Sequence, residues 1–354
     1  MIRVGLIGFG LGGRVFHAPL ISSVEGLELA AVLERTTSKT AERYPGITTY
    51  RSLEEMLADT SLGLFVVTTP NATHYPLAKQ ILEAGKNVVV DKPLAATSAE
   101  IAGLIQLAAA KNLLLAPFHN RRWDSDFLTI QKLLHESSLG RLVSCESRFD
   151  RWRPTPPTER LWKDDPNGGG MLLDLGTHLC DQALHLFGKP ESVGAEVLVE
   201  RDGVRSNDSI TVRLRYPGLV VTLGSNNLSL PPGPRFRLRG TKGNYSKSGL
   251  DGQEAALAKI TRIADPNWGH EPESTWGTLH VDTGRGIVTR PIPAIHGDYR
   301  LYYAGIRDAL LSKSPAPVTG IDGWRVARLL EFAQESSDRR CEIVCDWSSE
   351  PQSN

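Results

Sequence analysis

Short apolar segments alternate with polar segments of helical length over residues 1–121, and this alternation is the strongest constraint on the fold. Such a pattern is typical of βαβ units, in which a helix returns the chain so that successive strands run parallel. We therefore predict an α/β domain with a doubly wound parallel sheet over residues 1–121. The predicted strands are Ile2–Ile7, Leu27–Leu33, Leu62–Thr69, Asn87–Val90 and Leu113–Phe118. The predicted helices begin near Ser38 and cover Pro76–Ala84 and Ser98–Lys111, with Ser98 as an N-cap.

The pattern changes after residue 121, and the remaining chain predicts a second domain over residues 122–354. We predict an α+β domain with a large, mostly antiparallel open sheet and helices on one face. The free face of such a sheet suits packing against a second copy, so we expect a homodimer or homotetramer. The predicted elements are a helix over Asp124–Glu136, a strand over Arg141–Trp152, a glycine- and proline-rich loop over 153–170, a helix over Met171–Phe187, strands between residues 192 and 245, and helices over Asp298–Ser312 and Ile321–Ser337.

The composition argues against several classes of protein. Forty basic residues balance forty acidic ones, so no net charge favours binding to nucleic acid or anionic lipid. The longest apolar runs, such as Leu62–Val67, are far shorter than a membrane span. A strand that begins at Ile2 leaves no room for a signal peptide, and the four cysteines are scattered. We therefore expect a cytoplasmic protein with reduced thiols and a small-molecule partner.

The segment VGLIGFGLGGRVF has the spacing of a dinucleotide-binding turn. Gly8, Gly10 and Gly13 form a GxGxxG motif that follows a predicted strand and opens a helix. The first glycine of such a turn permits a tight bend, the second lets the backbone approach a pyrophosphate, and the third allows close helix–sheet packing. The helix N-terminus then offers N–H groups to the phosphates. A glycine-rich turn without a ligand is the alternative.

Residues at the end of the second strand bear on which dinucleotide binds. Glu34 stands about 20 residues beyond the glycine motif, where an acidic side chain can bind the adenosine ribose. Its charge would repel a 2′-phosphate and so favours NAD, whereas Arg35, Thr36, Ser38 and Lys39 could hold that phosphate. The sequence therefore predicts NAD or NADP as the cofactor, with a slight preference for NAD.

Asp91-Lys92-Pro93 is the first segment with candidate catalytic side chains. It directly follows a predicted strand, at the carboxyl edge of the sheet where α/β sites form. A lysine at this place could stabilise a developing alkoxide or relay a proton. An ordinary surface lysine at a strand end is the alternative.

The predicted helix over Met171–Phe187 is the second such segment. At about 100° per residue, its polar side chains Asp174, His178, Asp181 and His185 fall within about 60° of one another. This stripe is compatible with a solvated face, with metal binding, or with acid–base chemistry in which Asp174 orients His178. We predict no metal, because zinc sites need a tighter cluster and a further ligand.

Several motifs occur in one order along the chain and together resemble one family. They are Gly8-Phe9-Gly10 with His17-Ala18-Pro19, Thr69-Pro70-Asn71 with His74, Asp91-Lys92-Pro93, and Asp174 with His178. Over essentially its whole length the sequence resembles the glucose–fructose oxidoreductase and inositol dehydrogenase family. The segments from Phe118 and from Phe149 resemble its branch of NADP-dependent scyllo-inositol dehydrogenases. Two departures are Asp91, where many members have Glu, and Glu34, where that branch tends to lack an acid.

The resemblance implies an NAD(P)-dependent enzyme that interconverts a secondary alcohol and a ketone on a sugar or cyclic polyol. It also implies a catalytic group of Lys92, Asp174 and His178 and a cis Lys92–Pro93 peptide, while either Lys92 or His178 could take the proton. A non-catalytic nucleotide-binding regulator on this fold is the alternative, although such a protein would be expected to lose part of the group. The candidate cofactor contacts are Thr69, Pro70, Asn71, His74 and Asp91, and the candidate substrate contacts are Asn120, Arg121, Arg151 and Arg153.

Overall fold

A computed structural model describes residues 1–156 and 169–352 of the chain. The glycine- and proline-rich loop predicted over residues 153–170 therefore lies largely outside the described residues. Within the described ranges the strands form a six-stranded and a nine-stranded sheet. No helix in these ranges is long and apolar enough to cross a membrane.

The six-stranded sheet is entirely parallel, which confirms the predicted α/β fold of the first domain. Its order is β3-β2-β1-β4-β5-β6, so the chain changes direction across the sheet between β1 and β4. The two central strands are largely buried on both faces, which explains their mostly apolar sequences. The strands are β1 (Ile2–Ile7), β2 (Leu27–Leu33), β3 (Thr48–Tyr50), β4 (Leu64–Val67), β5 (Asn87–Val90) and β6 (Leu115–Pro117).

Helices connect these strands, and two of them begin at a side-chain cap, after Ser52 and after Thr97. The hydroxyl of Thr97 accepts the Glu100 N–H at 3.2 Å, and the Glu100 carboxylate accepts the Thr97 N–H. Thr97 is therefore the N-cap that the sequence had placed one residue later, at Ser98. The helices are a π-helical turn over Gly12–His17 that continues into α1 (Ala18–Ile21), then α2 (Lys39–Arg43), α3 (Leu53–Ala58), α4 (His74–Glu83) and α5 (Ser98–Ala110).

The nine-stranded sheet is mostly antiparallel, as predicted, with one parallel pair between β7 and β10. The predicted strand over Arg141–Trp152 ends at Arg148, and Trp152 makes an isolated bridge to Leu228. The strand order of the nine-stranded sheet is β14-β13-β12-β11-β7-β10-β9-β8-β15. The strands are β7 (Leu142–Arg148), β8 (Ser192–Leu198), β9 (Ser209–Tyr216), β10 (Leu219–Ser225), β11 (Phe236–Gly240), β12 (Gly243–Lys247), β13 (Gly277–Asp282), β14 (Ile287–Ile292) and β15 (Ile343–Val344).

Helices from the second half of the chain pack on both sheets. Apolar residues of three helices join the strands of the larger sheet in one buried cluster. A fourth helix instead packs into the first domain, where Tyr302 donates a hydrogen bond to the carbonyl of Pro117 at 2.9 Å. The chain therefore returns to its first domain after building the second. These helices are α6 (Ser125–His135), α7 (Thr177–Phe187), α8 (Gln253–Leu257), α9 (Arg300–Leu310) and α10 (Gly320–Arg339).

A buried arginine joins α7 to the end of the parallel sheet. Arg122 lies in a 3₁₀ turn over Asn120–Trp123, just after β6, and its Nη2 is 2.6 Å from Oδ1 of Asp181 on α7. A second guanidinium contact, Nε to Asp181 Oδ2, is 3.0 Å long. The same Nη2 is 3.4 Å from Asp322, whose carboxylate caps α10 through Thr319. One guanidinium thus connects the end of the parallel sheet with two helices of the second domain.

Candidate active site

The glycine turn after β1 meets the steric demands that its spacing predicts. Gly8 has φ of +92°, a backbone conformation that favours glycine, and its N–H donates to the carbonyl of Leu33. A methyl group on Gly13 would lie 2.4 Å from the Gly8 oxygen, so no larger residue fits there. A methyl on Gly10 would meet no atom within 4 Å, so this side of the turn is open. The turn fits the backbone cradle that a dinucleotide pyrophosphate requires.

Glu34 lies at the end of β2 as predicted, but its carboxylate is bound by its own chain. Oε1 accepts hydrogen bonds from the Thr37 hydroxyl at 2.6 Å and the Lys39 N–H at 3.2 Å. Oε2 accepts from both the N–H and the hydroxyl of Thr40, at 2.9 and 2.5 Å. Burial raises the pKa of Glu34, but these hydrogen bonds outweigh it and the pKa is lowered. The expected ribose contact is therefore not favoured, because both oxygens already serve the start of α2.

The guanidinium of Arg51 also holds this loop, which connects β2 with α2. Its Nη1 donates to the carbonyl of Glu34 at 2.7 Å and its Nη2 to the Ser38 hydroxyl at 2.9 Å. Arg35 and Lys39 meanwhile extend into solvent. The loop is thus held by buried contacts and presents two cations on its open side.

The loop after β4 is joined to the loop after β5 by His74. The ring of His74 lies between two carbonyl groups, with Nδ1 2.6 Å from Pro93 O and Nε2 2.8 Å from Thr69 O. Only 1% of the residue is exposed, and burial lowers its pKa. His74 therefore joins two loops in this structure, and its predicted contact with the cofactor stays a prediction. Thr69 and Asn71 are partly exposed and Pro70 is exposed, as expected for a binding edge.

Asp91 at the end of β5 makes contacts that the sequence did not reveal. Its Oδ1 accepts the N–H of Lys92 at 2.7 Å, and its Oδ2 lies 3.7 Å from Nε2 of the buried His17. The other nitrogen of His17 is 2.6 Å from the hydroxyl of Tyr303 on α9. Burial raises the pKa of Asp91, yet the neighbouring His17 and Lys92 bring it below its ordinary value. His17 belongs to one of the motifs that occur in family order along the sequence. That membership was the signal from which this contact could have been predicted.

Lys92, Asp174 and His178 come together between the two domains. Lys92 Nζ is 2.6 Å from Asp174 Oδ1 and 2.8 Å from the Asp174 carbonyl oxygen. Asp174 belongs to a π-helical turn, Leu172–Gly176, that leads directly into α7 and places His178 next along the same side. The Lys92–Pro93 peptide is cis, as predicted. The site therefore holds an ion pair at the carboxyl edge of the parallel sheet with an imidazole beside it.

The electrostatic surroundings make His178 a neutral base. Only 6% of the residue is exposed, and its Nδ1 has no hydrogen-bond partner in the part of the chain that the structure describes. Burial lowers the pKa of His178 well below its ordinary value, and the charges of Lys92 and Arg121 act in the same direction. The interpretation of the helix stripe as a solvated face is wrong for His178 and Asp181, because both are buried against the first domain.

The four candidate substrate contacts differ in their surroundings. Asn120 and Arg121 are buried, and Arg121 is already engaged by Asp124 at 3.3 Å and by Glu254 at 2.6 Å. Arg151 is partly buried, and burial together with the nearby Arg153 lowers its pKa. Arg153 is exposed. Their roles toward a substrate stay predictions.

His119 is a residue whose place at the edge was not used in the sequence analysis. It lies two residues beyond the end of β6, is 1% exposed, and neither ring nitrogen has a partner among the described residues. Its position right after a parallel strand was the signal that could have identified it. The same described residues contain no cluster of three or more His, Cys, Asp or Glu side chains able to hold a metal ion, and all four cysteines are unpaired.

The doubly wound sheet, the glycine turn and the lysine–aspartate pair at its edge are features of a dinucleotide-binding oxidoreductase with a second domain. Residues 2–119 match the oxidoreductase family with an NAD-binding Rossmann fold, and residues 127–246 match the Gfo/Idh/MocA C-terminal domain. The chain belongs to the Gfo/Idh/MocA oxidoreductase family. The family resemblance that the sequence predicted is therefore confirmed.

Relatives match nearly the full length of the chain. The scyllo-inositol 2-dehydrogenase (NADP(+)) IolW of Bacillus subtilis is 35% identical over 346 residues, covering 98% of this chain and 96% of its own. The oxidoreductase YdgJ of Escherichia coli is 39% identical over 343 residues, covering 97% of this chain and 98% of its own. The solved structure of the Bacillus subtilis oxidoreductase YvaA superposes with a TM-score of 0.93 at 35% identity, covering 98% of each chain.

Alanine at Gly10 and at Gly13 should have different effects. Gly13→Ala forces a methyl to 2.4 Å from the Gly8 oxygen, so we expect a lower Tm as well as weaker dinucleotide binding. Gly10→Ala meets no protein atom within 4 Å, so its Tm should be unchanged. Its dinucleotide affinity should still fall about tenfold, or 1.4 kcal/mol, because the methyl lies where the pyrophosphate approaches. Thermal unfolding and fluorescence titration measure both, and unchanged binding by Gly10→Ala would contradict a phosphate site at this turn.

Proposed function

We propose that this protein is an NAD(P)-dependent dehydrogenase that interconverts a secondary alcohol and a ketone on a sugar or cyclic polyol. The observation that carries the proposal is the 2.6 Å pair of Lys92 and Asp174, with His178 beside it, at the carboxyl edge of the dinucleotide-binding sheet. The relative named as a scyllo-inositol 2-dehydrogenase supports a polyol substrate. A regulator without catalysis has no use for this intact group, and no contact favours that alternative.

The three side chains divide the work of alcohol oxidation. His178 is held neutral by burial, so it can accept the hydroxyl proton. Lys92, whose Nζ contacts Asp174, stabilises the alkoxide that forms as the proton leaves. Asp174 positions Lys92 and binds a neighbouring substrate hydroxyl. A bound nicotinamide ring supplies the hydride-transfer chemistry.

Lys92→Ala and His178→Ala should each lower kcat by at least about 10²-fold, the usual scale for acid–base groups, while dinucleotide affinity is largely kept. A spectrophotometric screen of polyols and sugars with both cofactors identifies the substrate for this measurement. His185→Ala is the matched control, because His185 is a histidine on the same helix stripe but is exposed. Activity within a few-fold of wild type in both catalytic variants would refute the assignment.

We propose further that the cofactor is NADP, which revises the slight preference for NAD drawn from the sequence. The reason for NAD was a free carboxylate at Glu34, and that carboxylate has four hydrogen-bond donors of its own loop. Arg35 and Lys39 are exposed on the open side of this loop, where they can pair with a 2′-phosphate. The name of the relative IolW, a scyllo-inositol 2-dehydrogenase (NADP(+)), supports the same choice.

Two variants separate these explanations of cofactor choice. Arg35→Ala should lower kcat/KM with NADP about tenfold or more, the scale of one charged hydrogen bond, and leave kcat/KM with NAD nearly unchanged. Glu34→Ala should lower kcat/KM with both cofactors, because the substitution removes the carboxylate that anchors the loop after β2. A selective gain in NADP use by Glu34→Ala would instead show that its charge repels the 2′-phosphate.

The assembly and location of the protein are also proposals. We propose a homodimer or homotetramer joined through the larger sheet, since β14 leaves Ile287 and Val288 69% and 47% exposed. Four unpaired cysteines support the cytoplasm as its location.

A further inference from the structure

The turn that carries Asp174 has no side-chain cap of its own. Asp174 lies in the π-helical turn Leu172–Gly176, and the residue before this turn is the apolar Met171. The first N–H groups of a helix have no partner within the helix and need an acceptor from elsewhere. π-Helical turns are rare and frequently lie at functional sites. The contacts that hold this turn therefore bear on the position of Asp174.

Asn207, in the loop between β8 and β9, supplies two of these acceptors. Its Oδ1 accepts a hydrogen bond from the N–H of Leu172 at 2.7 Å, and its backbone carbonyl accepts the N–H of Met171 at 2.8 Å. The N–H of Asp174 then donates to the carbonyl of Gly170 at 3.0 Å. Asn207 is thus an N-cap for this turn, although it lies 35 residues beyond Leu172 in the sequence.

Gly170 permits this close approach. It has φ of +89°, a backbone conformation that favours glycine. A methyl group on Gly170 would lie 2.5 Å from Nδ2 of Asn207. The amide of Asn207 therefore packs directly against the main chain that leads into the turn, and a larger residue at position 170 would displace it.

The loop that presents Asn207 is held by its neighbour Asp208, which is buried. Oδ1 of Asp208 accepts the N–H of Glu200 at 2.7 Å, and its Oδ2 lies 2.7 Å from Nε of Arg201. The N–H of Asp208 donates to the carbonyl of Leu198 at 2.9 Å. These contacts close the loop where β8 ends and β9 begins, so Asn207 has a firm support.

The place of Lys92 depends on the main chain of the turn as well as on a side chain. Lys92 Nζ is 2.6 Å from Oδ1 of Asp174 and 2.8 Å from the carbonyl oxygen of the same residue. The carboxylate can rotate to follow the ammonium group, but the carbonyl moves only when the turn moves. A displaced turn would therefore weaken or shift the contact with Lys92.

The two ends of the helical segment have separate supports. His178 lies three residues before Asp181, whose carboxylate is 2.6 Å from Nη2 of Arg122. Asp174 lies near the other end, which Asn207 holds. Loss of the Asn207 contact should therefore displace Asp174 and leave His178 in place.

We propose that Asn207 is a positioning residue that sets the place of Asp174 and, through it, of Lys92. The inference rests on the proposed function. Asn207 acts through the turn and takes no part in the transfer of a proton or a hydride. Lys92 can stabilise a forming alkoxide only from the correct place, and a misplacement of about 1 Å can cost about 10²-fold in rate.

The test uses Asn207→Ala in the full-length protein, with the substrate found by the screen. We expect kcat to fall about tenfold or more, while KM for the dinucleotide changes less than about twofold, because the glycine turn is not altered. The pH at which kcat/KM declines in acid should stay that of wild type, since His178 keeps its own support. A general loosening of the helix would shift that pH as well.

Two further variants and a control separate the cap from the bulk of the side chain. Asn207→Asp keeps an acceptor for the N–H of Leu172 and should keep kcat within about twofold of wild type, because Asp and Asn are equivalent N-caps. Asn207→Gln keeps the amide but moves its oxygen by one methylene, so it should lose kcat as Asn207→Ala does. Asn244→Ala removes an exposed asparagine of β12 and should match wild type.

The proposal is refuted if an active wild type is matched in kcat by Asn207→Ala and Asn207→Gln, or if Asn207→Asp loses as much activity as they do. A shifted acid decline in Asn207→Ala, or failure of both Asn207→Ala and Asn207→Gln to fold, would show a purely structural role and refute it too. Thermal unfolding monitors the fold of each variant. Failure of the wild type to oxidise any polyol or sugar would refute the proposed function itself, which is a separate result.

Discussion

The contact of Arg122 with Asp181 and Asp322 is the interaction on which the site depends. It is buried, and one guanidinium serves carboxylates on two helices of the second domain. Removal of one member of such a network leaves an uncompensated buried charge, which typically costs about 3–5 kcal/mol. Because Asp181 lies one turn beyond His178, the same contact fixes which side of α7 faces the parallel sheet. The position of His178 relative to Lys92 follows from it.

The site combines an ion pair with a buried imidazole. Lys92 Nζ lies 2.6 Å from Asp174 Oδ1, whereas burial and nearby cations lower the pKa of His178. Titratable groups side by side in different environments are what acid–base catalysis requires. The ring of His74 supports this arrangement, because its two nitrogens contact the carbonyl groups of Thr69 and Pro93. The loops that carry the candidate cofactor contacts and Lys92 are thereby held as one unit.

The sequence predicted the parallel sheet and the glycine turn, because periodicity and spacing record them directly, and the family resemblance implied the grouping of Lys92, Asp174 and His178. It could not predict the partners of Glu34, since the hydrogen bonds from Thr37, Lys39 and Thr40 depend on the path of a loop. The sequence left several interpretations of the polar stripe on α7 open. Whether a charged side chain is buried depends on a distant partner such as Arg122, and the stripe alone does not reveal that partner. The strands β3, β13 and β14 were missed since they are partly or largely exposed and lack a continuous apolar run.

The proposed chemistry requires His178 to be a neutral base beside the Lys92–Asp174 pair. The most direct measurement is the pH dependence of kcat/KM for alcohol oxidation. A lowered pKa keeps His178 in its basic form as the pH falls, so the rate should hold through pH 6.5 and decline only below it. That acidic decline should disappear in the residual activity of His178→Gln. A decline centred at or above pH 6.5, or one that the variant retains, would contradict the account.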